Sequence, residues 1–318
     1  MKKEFDILVI GELNVDLILN GLPSLPEEGK EILADQMTLT LGSSSAIFAS
    51  NASTLGNKVA FLGKTGTDQF GDLVFKSLND KDVDTQFIIR SSTDKTGATI
   101  VLNFDEDRAM VTYPGAMETL SVDDINNEQL LKARHMHVSS IFLQPAIKKD
   151  IVSIFRIAKD LGLTTSLDVQ WDPAEKWDVD LEALLPLVDV FLPNETELRA
   201  LTGEKDLEMA IEQIKPFINT VAIKMGNKGS RGVTKNKDIT EEPFLNKEVV
   251  DAIGAGDSFN AGFITGFLAG KSLSDCLKYG NLTGAVNTTA SGGTGAFKSL
   301  KDFNQTADKV FGINGKLL

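Results

Sequence analysis

One cysteine, Cys276, two histidines, two tryptophans and two tyrosines are spread through 318 residues. A lone thiol cannot close an internal disulfide, so nothing here asks for an oxidising compartment or a stapled scaffold. His135 and His137, with that single cysteine, are too few soft ligands for a transition-metal centre. Cys276 lies in a helical pattern with Leu273 and Leu277 and reads as a small packed hydrophobe, not a nucleophile. With 9 prolines and 27 glycines the chain is neither collagen-like nor low-complexity. No stretch approaches the roughly 18 uncharged apolar residues of a spanning helix. The Met1-Lys2-Lys3 opening briefly resembles a targeting segment, but Glu4, Asp6, Glu12 and Asp16 interrupt its apolar run. Basic residues are also in deficit. Lys and Arg total 32 against 45 Asp and Glu, a net charge of −13, which argues against general binding to nucleic acid or an anionic membrane. A soluble, cytoplasmic protein is the expectation.

What is present is a large apolar fraction in a regular rhythm. Asp6–Ile10 is a short apolar run ending at Gly11, the pattern of a buried strand leaving a sheet. Small residues dominate from Gly42 to Gly56, which predicts a closely packed helix. From Met136 onward strand-like and helix-like segments alternate, implying a mostly parallel sheet covered on both faces. Ligands in such sheets bind at the carboxyl ends of the strands. Two β-rich patches, at about 15–41 and 84–113, break that rhythm and are expected to join as a small lid. With no linker, repeat or composition break, residues 1–318 read as one domain.

The most informative string is Asp251-Ala-Ile-Gly-Ala-Gly-Asp257-Ser-Phe-Asn260. Gly254 and Gly256 permit a tight turn, and Phe259, Phe263 and Phe267 mark the helix that follows. Its first turn offers unpaired amides and the positive end of a dipole, a site for phosphate. Asp257 at that position either caps the helix or accepts a proton in phosphoryl transfer, and the ten residues alone do not separate the two. Likewise Asn194-x-x-Glu197 reads by itself as a capping box opening a helix. Gly254-x-Gly256 lacks the third glycine of a dinucleotide fingerprint and lies far from the first β-α-β unit, which argues against nicotinamide chemistry.

GAGDSFNAGF, preceded by Asp251, resembles the C-terminal signature of the ribokinase-like (PfkB) carbohydrate kinases. Further matches follow in the family's order: Gly11–Asp16, Gly63–Asp72, Asp107-Arg108, Pro193–Glu197 and Lys224–Gly229. The resemblance implies a three-layer α/β sandwich with a mostly parallel central sheet and a β lid. It implies ATP-dependent phosphorylation of a primary hydroxyl on a small sugar or sugar acid, with ATP and Mg²⁺ as partners. Asp257 would then be the general base, and the amides of Gly254, Ala255 and Gly256 the anion hole. Asn14, Asp16, Gly42, Ser43 and Arg108 would face the acceptor. Asn194, Lys224, Gly226, Gly229 and Asn281 would border the nucleotide, with Glu197 reaching Mg²⁺ through its water shell. Asp251 and the Ile253 carbonyl would fall at a monovalent-cation site, K⁺ being the candidate.

Three departures bear on the acceptor: Gly42-Ser43 stands for a glycine pair, with Ile47 where an acceptor-reading Asn is common. Asp168-Val-Gln170-Trp-Asp172 stands for D-x-N-x-R, so an arginine has become acidic, and Lys224 replaces a frequent threonine. Two other readings stay open, a nucleoside kinase of the same family and a non-catalytic sugar or nucleotide sensor. An exposed lid edge would also suit pairing with a second copy.

Overall fold

The apolar run that opens the chain becomes the axis of the architecture. The computed structural model describes residues 3–104 and 107–313, with the side chains of 107 and 108 outside that description. Its strands are β1 (Phe5–Ile10), β2 (Asn14–Asn20), β3 (Gln36–Leu41), β4 (Val59–Gly66), β5 (Asp84–Ser91), β6 (Gly97–Phe104), β7 (Asp107–Tyr113), β8 (Ala133–Ser139), β9 (Thr164–Asp168), β10 (Val190–Phe191), β11 (Val221–Lys224), β12 (Ser230–Val233) and β13 (Asp238–Glu241). Nine of them form one sheet in the order β13-β12-β11-β10-β9-β8-β1-β4-β5. The run from β11 to β5 is parallel, and only the two pairings of β12, with β11 and with β13, are antiparallel. From β1 the chain moves one way to β4 and β5, then the other way from β8 to β11. The reversal at β1 and β8 opens a crevice at the strand ends, where a ligand site is expected.

Each face of the sheet carries its own core. On one side Phe48, Phe259, Phe263, Leu282 and Phe303 come from the helices Ser44–Thr54, Ala255–Leu268, Leu273–Asn287 and Leu300–Phe311. On the other, Ile154, Phe155, Leu198 and Ile211 come from the helices Ile151–Asp160, Glu195–Thr202 and Leu207–Ile214. The result is the three-layer sandwich implied by the motifs.

The lid is a four-stranded sheet, β3-β2-β6-β7. Residues 84–91, expected to belong to it, instead form β5 at the edge of the large sheet, parallel to β4. Ile88 packs on one core while Phe87 and Ile89 pack on the other, so this strand is apolar on both faces and needs helices on both sides. The lid itself has two unlike faces. Asn14, Asp16, Thr99 and Thr112 look into the crevice. On the opposite face the register aligns Leu39, Leu17, Ile100 and Val111 across all four strands, with Met37, Leu19 and Leu102 in the next row.

The small residues of Ser44–Thr54 do pack closely, since Asn51 Nδ2 donates 2.9 Å bonds to Ser258 Oγ and to the Gly293 carbonyl. His135 and His137 are fully buried on β8, both hydrogen-bonded to Ser166 Oγ at 2.7 Å, and His137 stacks on Phe48. Burial holds both imidazoles below their usual range, His135 near 3, so the pair is structural. Cys276 is likewise buried, its thiol pushed up to about 12.

Candidate active site

The carboxyl ends of the parallel strands deliver most of the polar side chains of the crevice. Glu12 follows β1, Ser140 follows β8, Asp168 ends β9, Asn194 follows β10 and Lys224 ends β11. Above them lies a cavity of about 550 Å³ reaching from the lid to the helix Ala255–Leu268. A second cavity, of about 270 Å³, runs between the loop after β13 and the helix Leu273–Asn287. Lys224, Gly226, Ala252 and Gly256 line both, so the two cavities meet at the start of the Ala255–Leu268 helix.

The larger cavity has a polar rail on the lid. Asn14 Nδ2 donates to Asp16 Oδ1 at 3.0 Å and to Thr99 Oγ1 at 3.1 Å, and Thr99 Oγ1 lies 3.0 Å from Thr112 Oγ1. Burial lifts the Asp16 carboxyl to about 6, with the Asn14 bond opposing the rise. Gly42 lies beside this pair, where an added Cβ would meet Asp16 Oδ1 at 2.3 Å and Asn14 Nδ2 at 2.6 Å. Ser43 follows at φ +68, a backbone region that costs a side-chain-bearing residue about 1–3 kcal/mol. Two hydrogen bonds offset that strain, Oγ donating to the Glu12 carbonyl at 2.6 Å and accepting from Ala46 N at 2.9 Å. Ile47, Leu143 and Trp171 give the opposite wall an apolar character. The expected acceptor residue Arg108 has its side chain outside the described residues.

The helix Ala255–Leu268 begins from Gly254 at φ +76, the turn that the glycine allows. Among the described residues the amides of Gly254, Gly256 and Asp257 have no backbone or side-chain acceptor, whereas Ala255 N donates to the Ala252 carbonyl at 3.3 Å. Ala255, expected in the anion hole, therefore spends its amide closing the turn. Asp257 is buried at the mouth of this turn, and burial, followed by the nearby Asp168 charge, raises its carboxyl well above the ordinary range. Lys224 Nζ opposes that rise and pairs with Asp168 at 2.6 Å. Burial alone would depress the Lys224 ammonium, but Asp168 and Glu197 raise it overall.

Asn194 and Glu197 form a reciprocal capping box: Asn194 Oδ1 accepts from Glu197 N, and Glu197 Oε2 accepts from Asn194 N, each at 2.8 Å. Both side chains also line the larger cavity, so the capping and ligand-facing readings coexist. Burial and the Asp168 charge push the Glu197 carboxyl up to about 7. Among the described residues no cluster of three or more His, Cys, Asp or Glu forms a ready metal cage. The oxygen donors of Asn194 and Glu197 are of the kind that suits Mg²⁺ reached through water. Asp251 accepts from Ile253 N and Gly292 N at 2.8 Å each, and the Ile253 carbonyl accepts from Asn287 Nδ2 at 2.6 Å. These groups already close the loop through hydrogen bonds, each carboxylate oxygen keeping capacity for one more partner.

In the smaller cavity Gly226 and Gly229 turn the chain after β11, at φ +57 and +86. Asn281 lines it too, but its Nδ2 donates to the carbonyls of Glu241 and Glu242 and so holds the neighbouring loop. Four residues at or beneath the crevice had been given no role in the site, although Asp168 and Gln170 belong to the D-x-N-x-R element and Asn260 ends the Asp251–Asn260 string: Glu12, Asp168, Gln170 and Asn260. Glu12 is buried and accepts from Ser45, Asp168 accepts from Lys224, Asn260 and Gln170, and Gln170 reaches Asp257. The available signal was their place: Glu12, Asp168 and Gln170 each stand at or just past the carboxyl end of a strand-like run.

A sheet of this order, with a lid over its strand ends and a helix N-terminus aimed into the crevice, has the architecture of a small-molecule kinase. The sequence profile of the pfkB family carbohydrate kinases matches residues 4–299, and the chain belongs to that family. It is 32% identical over 233 residues to an uncharacterized sugar kinase of Archaeoglobus fulgidus, covering 73% of this chain and 92% of that one. Over 250 residues it is 31% identical to the 2-dehydro-3-deoxygluconokinase of Bacillus subtilis, covering 75% and 77%. The structure of Arabidopsis thaliana ribokinase complexed with ribose and ATP superimposes with a TM-score of 0.82 at 25% identity, covering 96% of this chain and 99% of that one. The protein is thus a ribokinase-fold carbohydrate kinase, and no helix among its described residues is long and apolar enough to cross a membrane.

Proposed function

We propose that the protein transfers the γ-phosphoryl group of ATP to a primary hydroxyl of a small sugar or sugar acid, with Asp257 as the general base. The observation that carries this reading is the buried Asp257 carboxylate beside the unpaired amides of Gly254 and Gly256, where the two cavities meet. The acceptor lies in the larger cavity, its hydroxyls held by Asn14 and Asp16. ATP enters the smaller one, bordered by Gly226, Gly229 and Asn281. As the acceptor oxygen attacks phosphorus, its proton passes to Asp257 and the bond to the ADP oxygen breaks. The amides of Gly254, Gly256 and Asp257 face the charge on the group in transit. Asn194 and Glu197 would hold Mg²⁺ through its water shell, and the ion, when bound, would supply neutralisation of the phosphate charge. A monovalent cation at Asp251 and Ile253 would brace the same loop. Lid closure excludes the water that would otherwise compete as acceptor.

Release of ADP with ribose, fructose, 2-keto-3-deoxygluconate and adenosine tests the reading. Asp257→Asn lowers turnover on the best acceptor by roughly 10²–10⁴, the share a positioned base supplies. Near-full activity of that variant would remove Asp257 from its role. Adenosine belongs in the screen because of a specific feature, Trp171, which is 47% exposed in the larger cavity and packs edge-on against Trp177, itself edge-on to Phe142. Such a platform suits a flat ring on the acceptor. The continuous apolar row on the outer lid face suits a second copy of the chain, a homodimer through the lid.

A further inference from the structure

Gln170 sits between two buried carboxylates and contributes to neither capping box nor core. Its Nε2 lies 2.9 Å from Asp257 Oδ1 and 3.0 Å from Asp168 Oδ2. An amide nitrogen has two hydrogens and accepts nothing, so both contacts are donated, one hydrogen to each carboxylate. The flipped amide would set Oε1 against the Asp168 carboxylate that Lys224 pairs, so that ion pair fixes its orientation. Asp168 Oδ2 is itself anchored, accepting from Lys224 Nζ at 2.6 Å and from Asn260 Nδ2.

We propose that Gln170 is a positioning residue for Asp257, tethering Oδ1 to the Lys224–Asp168 ion pair so that Oδ2 is turned toward the acceptor hydroxyl. The proposal rests on Asp257 being the base, and it adds how that base is aimed. A carboxylate at the end of a short side chain rotates about χ2, so a donor on one oxygen bears on where the other points, with Ser44 the other side-chain donor near Asp257. The tether is rigid at its far end because the ion pair is buried, the Asp168 side chain being 0% exposed and that of Lys224 12%. Its near end is backbone held at φ +59, a left-handed conformation unusual for glutamine. Such strain persists where surrounding structure fixes it, and functional sites are where it gathers.

The test compares three variants on the best acceptor, with Asp257→Asn as the reference. Gln170→Met keeps the length and removes both donors. Gln170→Gly also removes them and relieves the positive φ, so its fold is retained. Both variants should lose about 10- to 100-fold in kcat, the scale of a small misplacement, while the KM values for acceptor and ATP stay within about threefold. The melting temperature of Gln170→Gly should stay near that of the unmodified protein. Wild-type kcat in both variants overturns the tether, as does a loss confined to acceptor KM, which would make Gln170 a binding group. Collapse of both melting temperatures overturns it too, since Gln170 would then serve only the fold. If Asp257→Asn itself stays active, it is the base assignment that falls, independently of Gln170.

Discussion

Asp16 reaches into the cavity from the lid, and its carboxyl is raised to about 6 by burial. Above that value it is a pure acceptor for sugar hydroxyls. Below it one oxygen carries a proton and the hydroxyl facing it loses its partner. The acceptor KM should therefore rise as pH falls through about 6, and Asp16→Asn should raise KM at neutral pH and flatten that dependence. A limb in kcat, assigned to Asp257 as the proposed base, should survive the substitution. Initial rates across pH 5 to 8 separate the two, and an unchanged KM profile in the variant would take Asp16 out of acceptor binding. These two aspartates were legible because each sits inside a short contiguous motif. Their partners also stand in recognisable strings, Lys224 among them as an expected site residue, but the contacts between them were not legible. Asp168, Gln170, Lys224 and Asn260 are dispersed over more than ninety positions and meet only once the sheet brings β9 and β11 beside the Ala255–Leu268 helix.

The Ala255–Leu268 helix carries Asp257 in its first turn, so its seating against the neighbouring helix Leu273–Asn287 sets where the carboxylate stands. Gly280 receives the Phe259 ring so closely that an added Cβ would lie 2.8 Å from it. Gly280→Ala should push Phe259 and its helix outward, costing about 1–3 kcal/mol as overpacked cores do. A lower urea midpoint at unchanged slope, together with reduced kcat, is the expected result. An unchanged midpoint would mean the ring rotates away freely. This helix was readable from its phenylalanine spacing and its glycines. The strand Asp84–Ser91 was misplaced because a short apolar run, Phe87-Ile88-Ile89, looks the same whether a strand belongs to a lid or to a sheet edge. Only its pairing with β4, across the helix Gln69–Asn79, decides. The β12–β13 hairpin escaped notice for another reason: SRGV and DITE are short and polar, and they form by extending an existing edge.

Across the whole molecule the charge is −13, yet the outer lid face is apolar. Met37 is 68% exposed and Val111 63%, with Leu39 and Ile100 exposed between them. A monomer seldom leaves so continuous a patch on a sheet open to water. A second copy offers the same rows and can cover it by a two-fold contact. Two chains of −13 repel at long range, so association should strengthen with salt as that repulsion is screened within roughly 10 Å. Light scattering at micromolar concentration should report twice 34.4 kDa, rising toward that value between low and moderate salt. Ile100→Lys should return the mass to 34.4 kDa with the melting transition intact, because the side chain already faces outward. A lid held by a partner would also close along one path, so the monomeric variant should show a higher acceptor KM at little cost in ATP KM. A native protein that stays at 34.4 kDa through the salt series would leave the apolar rows to some other contact and remove the second copy from the account.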